Sequence, residues 1–156
     1  MRQVFEMNAP IESSQSFVFD IPTSMLWLRA MENDSEAQNC LGTAFLEGIG
    51  VEQNSSAAYY WYKSACNLGC VNALSNLAYL YVQGIYVKQN YSFARLLIEE
   101  AVSRGCPHAE NNLGVMIGCG FTEEADPTVA KVSFAIAAGK GVKAAQMNLE
   151  WIALAS

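Results

Sequence analysis

A chain of 156 residues that is 52% apolar and 15% charged can fill one packed domain and is too apolar to remain disordered. Its net charge of −6 excludes a nucleic-acid surface, because neutralising phosphates takes clustered Lys and Arg, and suits a basic protein partner instead. No uncharged apolar stretch of ~20 residues occurs, which excludes a helical membrane span.

Residues 1–20 lack the basic start and apolar run of a targeting segment. Five cysteines (Cys40, Cys66, Cys70, Cys106, Cys119) make an odd set without evident pairing, which points to a reducing cytoplasm. Residues 1–21 show no repeat. Within them the polar–apolar alternation from Ser16 to Pro22 reads as an extended cap along the first helical hairpin. A helix is expected from about residue 24 to 32, as the second half of an incomplete row.

From there the chain falls into rows of 36 residues. Ala37, Ala73, Ala109 and Ala145 share a column, as do Leu41, Leu77, Leu113 and Leu149. Further columns hold Asn76, Asn112 and Asn148; Gly48, Gly84 and Gly120; Asn54, Asn90 and Asp126; Ala65, Ala101 and Ala137; and Gly69, Gly105 and Gly141. Ala37, Leu41, Ala44 and Phe45 recur at helical spacing and end at Gly48, which suits a left-handed helix stop. Asn54, Asn90 and Asp126 stand where a second helix needs an N-cap, and Pro127 follows at a first helical position. Ala57, Trp61, Ala65 and Gly69 then trace that second helix, with Trp61 and Phe45 expected in the core. A closing helix is expected over about 142–153.

One hairpin cannot bury its own apolar stripe, so hairpins of this kind stack. The expected fold is all-α: a right-handed α/α superhelical solenoid of about three and a half helical hairpins. Its repeats run at about 37–72, 73–108 and 109–144, within a solenoid domain over 22–156. Partial capping helices flank them at 22–36 and 145–156.

The segments Ala37–Gly42, Gly48-Ile49-Gly50-Val51, Trp61–Ala65 and Leu68-Gly69 resemble the Sel-one-like repeat, an α/α solenoid related to tetratricopeptide repeats. A G-x-G-V loop, a W-x-x-x-A second helix and the 36-residue period separate that class from 34-residue tetratricopeptides. Later rows depart from it: Tyr86 and Thr122 replace the second loop glycine, Leu97 and Ser133 the tryptophan, and Glu123 the valine. Looser loops are expected there.

The resemblance implies a non-catalytic, cytoplasmic protein that holds a partner against the first helix of each repeat. Its most specific form is a bacterial immunity-type inhibitor that sequesters a basic toxin or effector, and an adaptor or scaffold is the alternative. A cysteine-rich hydrolase branch is disfavoured, because Gln38, Leu74 and Glu110 stand where its second cysteine belongs. The groove columns implied by the resemblance hold Glu36, Asn72 and His108; Asn39, Ser75, Asn111 and Met147; Thr43, Tyr79, Val115 and Trp151; Leu46, Val82 and Gly118; and Glu47, Gln83 and Cys119. Tyr79 and Trp151 have the profile of anchors, being large, amphipathic and not required by the repeat.

Catalytic and metal chemistry finds little support, and no cofactor is expected. His108 stands alone, Cys66 and Cys70 supply too few ligands for zinc, and the neighbours in Glu99-Glu100 and Glu123-Glu124 point apart on a helix.

Overall fold

A computed structural model describes residues 22–121 and 125–155. The proposed cap over residues 16–21, Thr122 and the Glu123-Glu124 pair lie outside the described residues. Among those described there are eight α-helices and no strand: α1 Thr23–Met31, α2 Ser35–Glu47, α3 Ser55–Asn67, α4 Val71–Gln83, α5 Tyr91–Ser103, α6 Pro107–Gly118, α7 Pro127–Gly139 and α8 Lys143–Ala155. They form two compact units, residues 22–90 and residues 91–155. In the first unit α1 packs on α2, α2 on α3 and α3 on α4; in the second, α5 packs on α6, α6 on α7 and α7 on α8.

Three of the described helices, α2, α3 and α7, begin at a side chain that accepts from orphan backbone amides. Asn54 Oδ1 accepts from the Ala57 amide, and Asp126 Oδ1 accepts from the Thr128 and Val129 amides. Asp34 does the same for α2, accepting from Glu36 and Ala37. Substituting such caps typically costs about 1 kcal/mol.

The loops repeat atom by atom. The Asn54, Asn90 and Asp126 amides donate to the carbonyls of Phe45, Tyr81 and Ile117 at 2.8, 3.0 and 3.2 Å. Gln53 and Gln89 Nε2 donate to the Leu46 and Val82 carbonyls at 2.8 and 2.7 Å. The expectation of a looser second-row loop is therefore corrected. Tyr86 adopts φ 64°, the left-handed backbone that Gly50 takes at φ 68°, and the hydrogen bonds around it are kept. A bulky residue there costs about 1–3 kcal/mol of strain. Asn33, in the column of Gly69, likewise takes φ 63°.

The alanine columns form the helix contacts. Ala37, Ala73, Ala109 and Ala145 are fully buried, as are Ala65, Ala101 and Ala137, and so is a further column, Ala58, Ala94 and Ala130. The leucine column is buried at Leu41 and Leu77 but only half-buried at Leu113 and Leu149.

The large core residue of the second helix is not the one expected. Trp61 and Phe45 are half-buried, and Trp27 meets their rings edge-on at 5.4 and 5.9 Å between centroids. Tyr62 is the buried aromatic, at 0% exposure. The inward face of α3 runs Ala58, Tyr62, Ala65, and it places the Tyr62 ring against the bare backbone of Gly42. In the second unit Phe134, also fully buried, meets Gly114 in the same way. Burying a side chain of this size contributes about 1.5–3 kcal/mol.

Candidate protein-binding surface

The expected groove residues divide by burial. Glu36, Glu47 and Gln83 are exposed, and Asn72, Tyr79, His108 and Trp151 are half-buried. Asn39, Thr43, Ser75, Asn111 and Val115 are buried, with Leu46 and Val82, so the expectation that all of these face a partner is corrected. Gly118 and Cys119 are half-buried, while Met147 is exposed.

The reason is that polar side chains in these columns tie neighbouring first helices together. Asn76 Nδ2 donates to Asn39 Oδ1 at 2.8 Å, joining α4 to α2, and Asn148 Nδ2 donates to Asn111 Oδ1 at 3.0 Å, joining α8 to α6. Thr43 Oγ1 hydrogen-bonds the Tyr62 hydroxyl at 3.1 Å, linking α2 to α3. Gln38 Nε2 donates to the Ala30 carbonyl at 3.0 Å and anchors α1. An asparagine pairing at a spacing of 37 was legible beside the 36-residue repeat. It marks polar packing, since buried amides need partners.

What remains accessible in the first unit lies on α2 and α4. Glu36 and Glu47 stand eleven residues apart, which is about three turns, and so share one face of α2. Burial, and then the carboxylate of Glu47, push the Tyr79 hydroxyl above its ordinary value, so Glu47 stands within electrostatic reach of Tyr79. Glu36 Oε1 also accepts from the Cys70 thiol at 3.3 Å. An acidic, partly aromatic surface results. In the second unit the corresponding accessible positions are His108, Gly118, Cys119, Met147 and Trp151.

The other candidate chemistries resolve into structure. Glu99 and Glu100 pair with Arg95 and Arg104 at 2.8 Å on the solvent-facing side of α5 and just beyond its end. Cys66 packs against the small cluster of Ala65, Cys70 and Ala73. None of the five cysteines is joined in a disulfide. Among the described residues no group of three His, Cys, Asp or Glu side chains could hold a metal ion, and no helix is long and apolar enough to cross a membrane.

A family model described as Sel1 repeat matches residues 35–70, 71–106 and 107–131. A Sel1 repeat protein from Oxalobacter formigenes has a solved structure that matches with a TM-score of 0.67 and 29% identity, over 81% of this chain and 96% of that one. A second, c5321, described as a protective antigen present in uropathogenic Escherichia coli strains displaying an SLR fold, matches with a TM-score of 0.69 and 26% identity over 81% of this chain. This chain spans 27% of its length. No curated protein gives a significant match. With helices alone among the described residues and these neighbours, the fold class is the all-α, α/α solenoid type.

Proposed function

Because the chain belongs to the Sel1 repeat family, whose repeats in general mediate contacts between proteins, we propose that it is a protein-binding module without a reaction of its own. The observation that carries this reading is a half-buried Tyr79 within electrostatic reach of the exposed Glu47 carboxylate, with Glu36 on the same face of α2. Tyr79 is not a repeat residue, and packing does not require a half-exposed tyrosine at that column. A large amphipathic side chain beside a carboxylate suits a basic partner surface, as aromatic anchors supply contact area and charge complementarity speeds encounter. The net charge of −6 adds to the same attraction.

The finer form of the proposal is an immunity-type inhibitor that occupies a basic toxin or effector protein. Expressing the chain together with a reading frame that adjoins its gene and arrests growth when expressed alone tests it. Restored growth together with a stoichiometric complex supports inhibition. A complex that leaves the toxin active makes the chain an adaptor, and the absence of any complex sinks the inhibitor reading.

A further inference from the structure

Four tyrosines of the first unit converge on one surface patch. Tyr59 and Tyr60 come from α3, Tyr81 from the end of α4, and Tyr86 from the loop after it. Ring centroids lie 5.4 Å apart for Tyr59–Tyr60 and for Tyr59–Tyr86, 6.0 Å for Tyr60–Tyr86 and 6.4 Å for Tyr59–Tyr81. The Tyr86 hydroxyl donates to that of Tyr60 at 3.3 Å. Tyr60 and Tyr86 remain 59% and 52% exposed.

The repeat does not ask for this cluster. Its columns elsewhere hold Arg95 and Leu96 for Tyr59 and Tyr60, Phe45 and Ile117 for Tyr81, and Gly50 for Tyr86. Tyr86 sits at φ 64°, where glycine is the unstrained choice, and its ring is spent on an exposed cluster and not on the core. Backbone strain kept for an exposed aromatic points to binding.

Charge narrows the partner. In a chain of net charge −6, residues 53–90 hold no Asp or Glu, and their only charged residues are Lys63 and Lys88. Lys63 Nζ already lies over the Tyr59 ring, 5.8 Å from its centroid. A second cation would be repelled there, whereas a carboxylate would be attracted. Between Tyr60 and Tyr86 one hydroxyl proton is used internally, and the other can be given to an acceptor.

We infer that this patch docks an extended, proline-containing segment of a partner protein that carries acidic residues beside its prolines. Proline rings pack on tyrosyl faces, the carbonyls of such a segment accept from tyrosine hydroxyls, and its preformed conformation loses little entropy on binding. The flanking carboxylates meet Lys63, which already lies over the Tyr59 ring. No residue is shared with the α2 and α4 surface at Glu36, Glu47 and Tyr79, so the two sites can fail separately.

The test is a titration of the full chain, followed by nuclear magnetic resonance of its tyrosine rings. The probe is a synthetic peptide of two aspartates followed by six prolines. Two controls replace the aspartates with lysines, or the prolines with alternating glycine and serine. Saturable shifts at Tyr60 and Tyr86 are expected with the acidic proline peptide, and at least tenfold weaker binding with either control. Tyr86→Gly should bind at least tenfold more weakly while melting at the same or a higher temperature, because it relieves the left-handed strain. Tyr60→Ala, on the exposed face of α3, should also bind at least tenfold more weakly, and it carries the test should Tyr86→Gly unfold. Absence of shifts at millimolar peptide, preference for the lysine-flanked peptide, or unchanged binding by folded Tyr86→Gly or Tyr60→Ala would each overturn the inference.

Discussion

The Tyr62 ring fills the space that a side chain on Gly42 would need: a Cβ there would stand 2.5 Å from Tyr62 Cδ1 and 2.6 Å from Cε1. The hydroxyl of the same ring is fixed by Thr43 at 3.1 Å, so the ring cannot easily retreat. Gly42 is thus a packing residue inside α2, and its partner is 0% exposed.

Gly42→Ala sets two effects against each other. Alanine within a helix gains about 1 kcal/mol over glycine, while overpacking a closed core costs about 1–3 kcal/mol. The clash wins because it falls on the side of a buried ring whose hydroxyl is held by Thr43, so denaturant melts should show a net loss of about 1–2 kcal/mol. Combined with Tyr62→Leu, which opens the space, the loss from Gly42→Ala should shrink or reverse. A stabilised single variant would show that the ring yields.

Leu77→Ala and Tyr79→Ala should separate folding from binding. Leu77 is 6% exposed, and its truncation leaves a cavity that costs about 2–5 kcal/mol. Tyr79 is half-buried, and its truncation should cost about 1 kcal/mol or less while weakening a partner by about 2 kcal/mol, roughly thirtyfold. Melting and affinity must be measured on each variant. Should Tyr79→Ala melt the protein and leave affinity intact, the α2 and α4 surface is not the binding face.

Charge at Glu36 and Glu47 should act on the association rate. Replacing both with Gln should slow capture of a basic partner at low salt and matter little at high salt, where the field is screened within about 3 Å at 1 M. Stopped-flow rates across a salt series decide this. A salt-independent rate in the unmodified protein would remove the electrostatic part of the proposed function.

Alkali should destabilise the fold from about pH 9 upward. Burial pushes the thiols of Cys40 to about 11 and Cys70 to about 12, from 9.0, and raises the Tyr62 hydroxyl above 10.0. These groups lose their protons more readily once unfolded, so their contribution is complete below the unfolded values and is lost as pH rises toward the folded ones. Thermal midpoints should hold up to about pH 9 and fall beyond it. For the same reason Cys40 and Cys70 should react with iodoacetamide at pH 8 at least a hundredfold more slowly than half-buried Cys66 and Cys119. Equal rates for all four would contradict the burial described here.

Acid should release the α2 cap. Hydrogen bonds from the Ala37 amide, Arg29 Nε and the Glu36 amide, with the charge of Arg29, hold the Asp34 carboxyl below its ordinary 3.8 against a smaller opposing effect of burial. A lowered value stabilises the fold above about pH 4 and ceases to do so as pH falls through the folded value. Asp34→Ala should therefore cost about 1 kcal/mol at pH 7 and less at pH 2, in melts at the two pH values.

Local chemistry determined much of this protein from the sequence alone. The 36-residue period, the caps at Asn54 and Asp126, the helix stops at Gly48 and Gly84 and the helical class all follow from side chains acting on their own backbone. Tertiary packing decided the rest. Trp61 and Tyr62 are adjacent, both large, and only about 100° apart around α3, so periodicity could not say which of them turns inward. Gly42, on another helix, selects Tyr62 by leaving room for its ring. Likewise Asn39 and Glu36 both lay in variable first-helix columns, yet the amide is buried because Asn76 reaches it from α4, while the carboxylate stays open to solvent. The Tyr59–Tyr86 patch was invisible for the same reason. Its members are scattered over three elements, and only the packing of α3 against α4, with a tyrosine held in a left-handed loop position, brings the four rings together.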